Sequence, residues 1–383
     1  MAITTTNLHQ DTRIAIPFVD LQAQHSALAA EIRVAVDEVL TDCNFILGRQ
    51  VREFEQSFAA YVGVAHAVGV SNGLDALRIA LAALGIGPGD EVILPANTYI
   101  ATALAVTSLG ARVVLVDCDA STYNLDPSKV ERAITAHTRA IIPVHLTGQP
   151  ADMRPILEIA ERRGLQVLED SAQAHGARYR GEVCGSMGIA GCFSFYPAKN
   201  LGAAGDGGMI VTHNGKLAQR ARRLSNNGEV IKYEHSEKGF NARLDTLHAA
   251  ILQAKLPHLD DWNQKRAEHA QLYRERLART PGVGLQGVLP DCTHVYHLFM
   301  VQVARRDALR QFLQDRGVQT GIHYPTPIHL QAAYTDHGWK KGDFPVAEQL
   351  SSQIVSLPMF PELSNEQIDY VCDQIGEFVK AQS

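Results

Sequence analysis

The apolar residues between positions 66 and 213 follow two alternating patterns. Short, nearly continuous apolar runs predict β-strands at 66–71, 91–95, 112–119, 139–146, 165–172, 191–197 and 208–213. The segments between them carry apolar residues every three or four positions and predict helices at 73–84, 98–109, 126–136 and 152–164. Such strands separated by helices are typical of a mostly parallel sheet covered on both faces, so we predict an α/β fold.

The flanking regions have a different pattern. Helical spacing predicts helices at 20–41 and 50–61, whereas residues 1–14 are polar and we expect them to be poorly ordered. A long helical pattern covers 245–277, and Pro257 is expected to kink or divide it. Strands at 297–303 and 321–324 and helices at 306–316 and 364–380 follow. We therefore predict a large domain over 1–250 and a smaller α+β domain over 251–383.

The composition of the chain excludes several classes of function. The 383 residues are 46% hydrophobic and 20% charged with a net charge of −6, which is ordinary for a soluble globular protein. No basic stripe indicates nucleic-acid binding, and no apolar run approaches the roughly 20 residues that span a bilayer. Without a signal-like start we expect a cytoplasmic protein. The 6 cysteines and 16 histidines show no disulfide or zinc spacing, so we predict no metal site.

Candidate chemistry follows two of the predicted strands. Glu169 and Asp170 end one apolar run, and each is either a solvated turn residue or a buried carboxylate with a cationic partner. Lys199 follows a later strand in a loop rich in Gly and Ala, where a lysine is usually only exposed. The two strand ends are expected at one edge of the sheet, where such folds bind ligands. A lysine and a carboxylate there suit pyridoxal phosphate (PLP), because the amine forms an imine with its aldehyde and the carboxylate keeps its pyridine nitrogen protonated.

A phosphate site is the second requirement of that cofactor. Ser71, Asn72 and Gly73 stand between a strand and a helix, and the N–H groups at a helix N-terminus bind phosphate well, although an ordinary helix cap is the alternative. Ser194, five residues before Lys199, adds a hydroxyl or is a strand residue that faces a polar layer. The chain has no dinucleotide fingerprint, Walker loop, HExxH or nucleophile elbow.

From about Ile16 to the C-terminus the sequence resembles a known family. Its motifs are PFVDL, SNGLDAL, LPANTYIATALAV, EDSAQAHGA, FSFYPAKNLGAAGDGG, NARLD and GIHYPTPIHLQ. They are similar to those of the DegT/DnrJ/StrS-type sugar-nucleotide aminotransferases, which adopt PLP fold type I. The resemblance implies that Lys199 binds PLP as a Schiff base and that Asp170 pairs with the pyridine nitrogen. It also implies that Gln173 bonds the ring hydroxyl, that Tyr99 stacks on the ring, and that Ser194 with the backbone of Gly73 and Leu74 holds the phosphate.

The resemblance also implies a homodimer with shared active sites. Asn226, with Asn227 as the alternative, matches an asparagine that reaches the phosphate of the neighbouring subunit. His323, Tyr324 and His329 are substrate-side candidates in the loop 322–331, and Tyr233 and Arg243 are further ones. Many members read Ser-Gly-Thr where this chain reads Asn72-Gly73-Leu74, so a phosphate-binding hydroxyl is missing there.

The implied activity is transamination. Glutamate would donate its amino group, pyridoxamine phosphate would carry it, and a nucleotide-linked keto sugar would accept it. The forms NGLDAL and KNLGAAGDGG are most similar to the branch that aminates carbon 3 of dTDP-3-keto-6-deoxyhexoses. Amination of carbon 4 in a UDP-, GDP- or dTDP-4-keto sugar is the alternative within the family. A sugar dehydratase, in whose relatives histidine replaces the lysine, and a non-catalytic PLP-binding regulatory protein are the alternatives of other classes.

Overall fold

The computed structural model describes residues 15–381, so the expectation of disorder at 1–14 lies outside the described residues. The strands in this part of the chain are β1 (His66–Val70), β2 (Glu91–Pro95), β3 (Arg112–Val116), β4 (Thr138–Ile141), β5 (Gln166–Asp170), β6 (Arg178–Tyr179), β7 (Glu182–Val183), β8 (Ala190–Ser194), β9 (Gly208–Thr212), β10 (Glu229–Ile231), β11 (Glu234–His235), β12 (Val283–Leu285), β13 (Cys292–Thr293), β14 (Phe299–Val303) and β15 (Ile354–Leu357). The α-helices are α1 (Leu21–Ala27), α2 (Ala29–Asp42), α3 (Arg49–Val62), α4 (Gly73–Leu84), α5 (Ile100–Thr107), α6 (Pro127–Ala133), α7 (Met153–Arg163), α8 (Gly215–Ser225), α9 (Thr246–Lys255), α10 (Leu259–Leu277), α11 (Arg306–Gln314), α12 (Pro345–Gln353) and α13 (Asn365–Lys380). Short 3₁₀ helices occur at Leu146–Gly148, Leu256–His258, Ile328–Leu330 and Ala332–His337.

The central sheet has seven strands in the order β1-β9-β8-β5-β4-β2-β3. The pairs β2–β3, β2–β4, β4–β5 and β5–β8 are parallel, whereas β8–β9 and β9–β1 are antiparallel. Strand β2 is buried along its whole length, as expected for a strand with helices on both faces of its sheet. The predicted α/β fold with a mostly parallel sheet is confirmed.

Helix boundaries follow local chemistry. Helix α4 begins after Asn72, whose side chain accepts a hydrogen bond from the Asp75 N–H at 2.8 Å, and it ends at Gly85 in the left-handed region. Pro257 lies in the 3₁₀ turn between α9 and α10, so the predicted division of the long helix is confirmed. The helix predicted at 20–41 is two helices, with Leu28 between them.

The C-terminal part of the chain forms a separate antiparallel sheet in the order β12-β14-β15. Helices α10 and α11 both pack on α13, and one hydrophobic core includes Tyr273, Phe299 and Leu309. This arrangement is the α+β region that the sequence predicts. The exact division into domains over 1–250 and 251–383 stays a prediction.

The strand predicted at 321–324 is wrong. Gly321 makes a single bridge to Ser356, and the chain then leaves the sheet. Pro325 and Pro327 follow, and proline has no N–H to continue a strand ladder. The segment instead brings His323 and Tyr324 to the end of the central sheet, where the candidate site lies.

Several elements were not expected from the sequence. They are the helices α8 and α12, the strands β6, β7, β12, β13 and β15, and the hairpin of β10 and β11. No helix within residues 15–381 has the length and apolar character to cross a membrane. Over the same residues, no group of His, Cys, Asp and Glu side chains is arranged to hold a metal ion.

Candidate active site

Residues from several strand ends line one cavity of about 590 Å³. Asp170 ends β5 and Ser194 ends β8, while Asn72 and Tyr99 follow β1 and β2. The sequence-predicted residues that line the cavity are Gly73, Leu74, Tyr99, Asp170, Gln173, Ser194, Lys199, His323 and Tyr324. The structure thus brings the predicted lysine, carboxylate and phosphate-binding residues together in one place.

Asp170 is buried and points its carboxylate into this cavity. Its Oδ2 accepts a hydrogen bond from Thr102 Oγ1 at 2.9 Å, and its Oδ1 accepts one from the Ala172 N–H at 3.2 Å. Burial raises the pKa of Asp170, while these hydrogen bonds and the charge of Lys199 oppose the shift. A cationic N–H group in the cavity would satisfy the carboxylate further, which fits a protonated pyridine nitrogen.

Lys199 faces the same cavity from the loop after β8. Its backbone N–H donates to Tyr196 O at 2.8 Å, which closes the turn that presents the side chain. Burial lowers the pKa of the Lys199 amine to about 8, and the negative charge of Asp170 opposes this shift. The side chain is half-buried because the cavity admits solvent, so water entry would move the pKa back toward that of an ordinary lysine.

Gln173 is fixed by two hydrogen bonds. Its Oε1 accepts from the Thr147 N–H at 2.6 Å, and its Nε2 donates to the Tyr324 hydroxyl at 3.1 Å. An amide nitrogen carries two N–H groups, so one remains for a ligand. The rings of Tyr324 and Tyr99 lie 5.2 Å apart at their centroids, and Tyr99 is 54% exposed at the mouth of the cavity.

The start of α4 forms a cradle that suits a phosphate. The first N–H groups of a helix have no carbonyl partner within it, and those of Gly73 and Leu74 open this helix. A Cβ atom added to Gly73 would lie only 2.7 Å from Ser194 Cβ, so glycine lets the helix start approach the serine. The donors fit a phosphate group although Leu74 offers no hydroxyl.

Glu169 and Asp170 are both buried, which answers the question the sequence left open. Within the described part of the chain, no lysine or arginine pairs with Glu169, and its carboxylate accepts from the N–H groups of Gly185, Met187 and Gly188 at 2.7–2.8 Å. His145 Nε2 lies 3.0 Å from it, and His145 Nδ1 accepts from the Ala151 N–H, so the histidine donates through Nε2. Glu169 therefore fixes the loop after β7 and does not face the cavity.

Of the substrate-side candidates in the loop 322–331, His323 and Tyr324 line the cavity and His329 does not. His323 lines the cavity, stacks on Phe18 at 5.6 Å, and bonds Ser356 Oγ through Nδ1 at 2.8 Å. Burial and, secondly, the charge of Lys199 lower the pKa of His323 to about 4, so the ring is neutral at neutral pH. His329 lies outside the cavity lining, buried beside Glu348 Oε1 at 2.9 Å.

Asn226, Tyr233 and Arg243 do not line the cavity of their own chain. Arg243 Nη1 donates to Asn226 Oδ1 at 2.8 Å, and Asn226 Nδ2 donates to Glu229 at 2.6 Å. Tyr233 is 81% exposed between β10 and β11. Asn227, the alternative to Asn226, is exposed with a left-handed backbone.

Sequence reasoning missed several residues of the site. Thr102 holds Asp170, Thr147 holds Gln173, and His297 and Tyr196 line the cavity. A usable signal existed for Thr102, because Thr98 and Thr102 put two hydroxyls one turn apart in an otherwise apolar segment. Thr147 gave no such signal, because it holds Gln173 through its own backbone N–H, whose direction depends on the backbone conformation of Thr147.

Comparison with known families identifies one match over most of the chain. The profile described as the DegT/DnrJ/EryC1/StrS aminotransferase family matches residues 26–376. The dTDP-3-amino-3,4,6-trideoxy-alpha-D-glucose transaminase of Streptomyces venezuelae is 48% identical, over 95% of this chain and 96% of the relative. The UDP-N-acetyl-3-dehydro-alpha-D-glucosamine 3-aminotransferase of Acidithiobacillus ferrooxidans is also 48% identical, over 92% and 95%. The erythromycin biosynthesis sensory transduction protein EryC1 of Saccharopolyspora erythraea is 50% identical, over 93% and 97%.

Solved structures agree with these matches. The crystal structure of S. venezuelae DesV in complex with a ketimine intermediate superposes with a TM-score of 0.94 at 48% identity, covering 96% of this chain and 99% of that one. The Bacillus subtilis protein NtdA with bound cofactor PMP superposes with a TM-score of 0.89 at 33% identity, covering 96% and 85%.

Proposed function

The chain belongs to the DegT/DnrJ/EryC1/StrS aminotransferase family, and we propose that it transfers an amino group from glutamate to carbon 3 of a dTDP-linked 3-keto-6-deoxyhexose. It is a PLP-dependent aminotransferase with an α/β fold. The observation that carries the proposal is that Lys199 and Asp170 line one cavity together with the phosphate cradle of α4.

When bound, the cofactor withdraws electrons from the substrate carbon that bears the nitrogen. Asp170 would accept a hydrogen bond from the pyridine N–H and keep that proton in place. Thr102 and the Ala172 N–H leave the Asp170 carboxylate as an acceptor toward the cavity, which supports this role.

Lys199 would bind the cofactor aldehyde covalently and, once released, act as the base at the substrate carbon. Both tasks need a neutral amine. With a pKa of about 8, roughly one lysine in ten is neutral at pH 7, compared with roughly one in a few thousand for an ordinary lysine.

The remaining cofactor residues would position the ring. Gln173 would donate its free amide N–H to the ring hydroxyl, and Tyr99 would stack on the ring face. Ser194 and the backbone N–H groups of Gly73 and Leu74 would hold the phosphate. His323 and Tyr324, on the cavity wall, would face the sugar.

The balance of charge between the cavity lining and its expected ligands supports a second subunit at the site. Among the described residues that line the cavity, Lys199 is the one lysine or arginine, and Asp170 and Asp206 are acidic. The cofactor phosphate, glutamate and a nucleotide diphosphate all bring negative charge, so further cations are needed. We propose a homodimer in which Asn226 and Arg243, joined by their hydrogen bond, reach the neighbouring cavity together with the exposed Tyr233.

The choice of substrate rests on the relatives. Both transaminase relatives above are named for amination at carbon 3, one on a dTDP sugar and one on a UDP sugar. The competing reaction is amination at carbon 4 of a UDP-, GDP- or dTDP-4-keto sugar.

The test is a panel of substrates. Purified enzyme and glutamate are incubated separately with dTDP-3-keto-6-deoxyhexose, dTDP-4-keto-6-deoxyhexose and a UDP-3-keto sugar. Mass and NMR position of the new nitrogen are read out, and amination of the 4-keto sugar alone would refute the proposal.

One relative is named for sensory transduction, so a regulatory role is a second candidate. Incubation of the purified protein with glutamate distinguishes the two. An aminotransferase converts its bound cofactor and loses the absorbance near the visible range within one turnover, and Lys199→Ala abolishes this change. An unchanged spectrum in the wild-type protein would favour the regulatory role.

A further inference from the structure

Thr147 has an unusual backbone for its residue type. Its φ is 66° and ψ is −4°, in the left-handed region, and Gly148 follows with φ of 95°. A β-branched residue in this region is a clear outlier, because its Cβ substituents crowd the backbone. Surrounding contacts must therefore hold the conformation.

Buried side chains from the C-terminal part of the chain supply those contacts. Thr147 Oγ1 lies 3.1 Å from Gln286 Oε1 and 3.3 Å from His294 Nε2, and Thr147 O accepts from the Leu298 N–H at 3.2 Å. All three side chains are buried. Thr147 is thus held in place by residues of the C-terminal part of the chain.

The hydrogen-bond directions in this cluster follow from backbone partners. Gln286 Nε2 donates to Thr122 O at 2.7 Å, so its Oε1 faces the Thr147 hydroxyl, whose one hydrogen is shared between this oxygen at 3.1 Å and Leu146 O at 2.5 Å. His294 Nδ1 accepts from the Tyr296 N–H at 2.9 Å, so its hydrogen is on Nε2 and points to Thr147. Burial lowers the pKa of His294 to about 3, so this arrangement is uncharged at neutral pH.

The consequence of the left-handed turn is the direction of the Thr147 N–H. It donates to Gln173 Oε1 at 2.6 Å. A backbone N–H can only donate, so the Gln173 carboxamide cannot turn over without placing its NH₂ against this donor. The Gln173 NH₂ is therefore directed to Tyr324 and the cavity.

We propose that Thr147 is a positioning residue for the cofactor: its left-handed backbone orients the Gln173 carboxamide so that the site offers a donor, not an acceptor, to the ring oxygen. The inference rests on the proposed role of Gln173. A donor favours the anionic form of the ring oxygen, whereas a turned carboxamide would repel it. Cofactor affinity and the protonation of the bound cofactor should both depend on Thr147, which touches neither substrate nor cofactor.

Two substitutions at Thr147 separate backbone conformation from side-chain packing. Thr147→Val keeps the shape and the crowding but removes the hydroxyl that holds the turn. Thr147→Gly removes the whole side chain but adopts a positive φ without crowding. Gln173→Leu removes the oriented carboxamide and serves as the reference.

The measurements are the dissociation constant of pyridoxamine phosphate from the apoprotein and the pH titration of the absorbance of bound PLP. Gln173→Leu and Thr147→Val should each weaken binding by about ten-fold to a hundred-fold, the loss expected for a hydrogen bond to a charged group. Both should also move the absorbance titration to higher pH. Thr147→Gly should stay within about threefold of the wild type, because its N–H keeps its direction. The double variant Thr147→Val with Gln173→Leu should bind no more weakly than Gln173→Leu alone.

Each outcome decides the inference. Normal binding and titration in Gln173→Leu would refute the role of Gln173 and, with it, the inference. Two results would refute the inference but leave the role of Gln173 standing. One is weak cofactor binding in Gln173→Leu with normal binding in Thr147→Val. The other is an equal loss of binding in Thr147→Gly and Thr147→Val. Should Thr147→Val not fold, Thr147→Ala replaces it: its Cβ disfavours positive φ, so it must bind more weakly than Thr147→Gly.

Discussion

The Lys199 side chain carries the first prediction, because its amine must be neutral to react. Burial lowers its pKa to about 8. Covalent capture of PLP by the apoprotein should therefore speed up through about pH 8 and level off above it, since the neutral fraction is then nearly complete. An ordinary lysine would show the rise near pH 10.4. Stopped-flow absorbance at a series of pH values measures this.

Lys255 is also buried, and its pKa is also lowered to about 8, so its amine could give the same pH dependence. Lys199→Ala is therefore the control for that experiment. Reduction with borohydride followed by mass spectrometry should find the cofactor attached in the wild type and absent in Lys199→Ala. A rate that keeps rising to pH 10 would mean that Lys199 is not desolvated as the structure indicates.

The close approach of Gly73, at the start of α4, to Ser194 in β8 gives a prediction about cofactor binding. In Gly73→Ala the new methyl group would lie 2.7 Å from Ser194 Cβ, so the start of α4 and β8 must separate. We expect PLP affinity to fall on the order of ten-fold or more, as when a hydrogen bond to a charged group is lost. Pyridoxal, which has no phosphate, should lose much less.

Gly376→Ala is the matched control for Gly73→Ala. Gly376 lies in α13, and an added Cβ there meets no atom within 4 Å. This variant should bind PLP normally and gain up to about 1 kcal/mol of stability from the helix preference of alanine. Equal loss of PLP and pyridoxal in Gly73→Ala would show that the substitution damages the cavity in general.

The sequence predicts the residues whose chemistry is visible in their type. Asp170 and Lys199 are ionisable residues at strand ends, and Gly73 begins a helix after a strand, so topology alone directs them to one edge of the sheet. Thr147 acts through its backbone direction and has no local signature. Thr102 acts on Asp170, 68 residues away, and the hydroxyl of Thr98 one turn before it is its one local signal. His329 matched a motif, but its pairing with Glu348 depends on packing that the sequence does not display.

Secondary-structure elements were predictable where the apolar pattern is strong and uninterrupted. Strand β2 and helix α4 match their predicted ranges, because each is bounded by residues that end it. Strand β15 was missed, since its four buried residues directly follow α12 without a turn signal. The predicted strand at 321–324 had the right composition, but the prolines after it remove the donors that a ladder needs.

Helix α12 provides a prediction about long-range capping. Asp117, just after β3, accepts hydrogen bonds from the N–H groups of Val346 and Ala347 at 3.0 and 2.9 Å. The helix has no side-chain cap of its own, so this distant carboxylate supplies it. Asp117→Ala should lower the free energy of unfolding by about 2 kcal/mol and speed amide hydrogen exchange in 345–353. Urea unfolding and exchange mass spectrometry measure these effects.

Asp126→Ala is the comparison, because Asp126 caps α6 locally by accepting from the Ser128 N–H at 3.0 Å. Its loss should cost about 1 kcal/mol and leave exchange in 345–353 unchanged. Normal exchange of 345–353 in Asp117→Ala would contradict the capping role.

Within residues 15–381, exposed apolar side chains are concentrated in two segments that lie near Asn226 and Arg243 in the structure. Phe45, Ile46 and Leu47 are 38–49% exposed, and Val230 and Ile231 are 58 and 62% exposed. Leu47, Val230 and Ile231 line a second cavity of about 420 Å³ with Asn226. Large exposed apolar groups around polar residues are typical of an interface between subunits.

A shared active site makes a specific prediction about mixed dimers. Lys199→Ala removes the reactive amine, and Arg243→Glu would place a negative charge against the anionic ligands of the neighbouring cavity. If each cavity takes Lys199 from one subunit and Arg243 from the other, a mixed dimer has one site with both defects and one intact site. Refolding the two inactive variants together should therefore restore activity at about a quarter of all sites, because half of the randomly paired dimers are mixed.

The control is a mixture of Lys199→Ala with Asp170→Ala. Both residues line the cavity of one chain, so every site in a mixed dimer keeps one defect and activity should stay absent. Recovery in the first mixture without recovery in the second requires that Arg243 act across the subunit boundary. No activity in either mixture would instead place all catalytic groups within one subunit, and the charge needed to bind three anionic ligands would then have to come from elsewhere in the same chain.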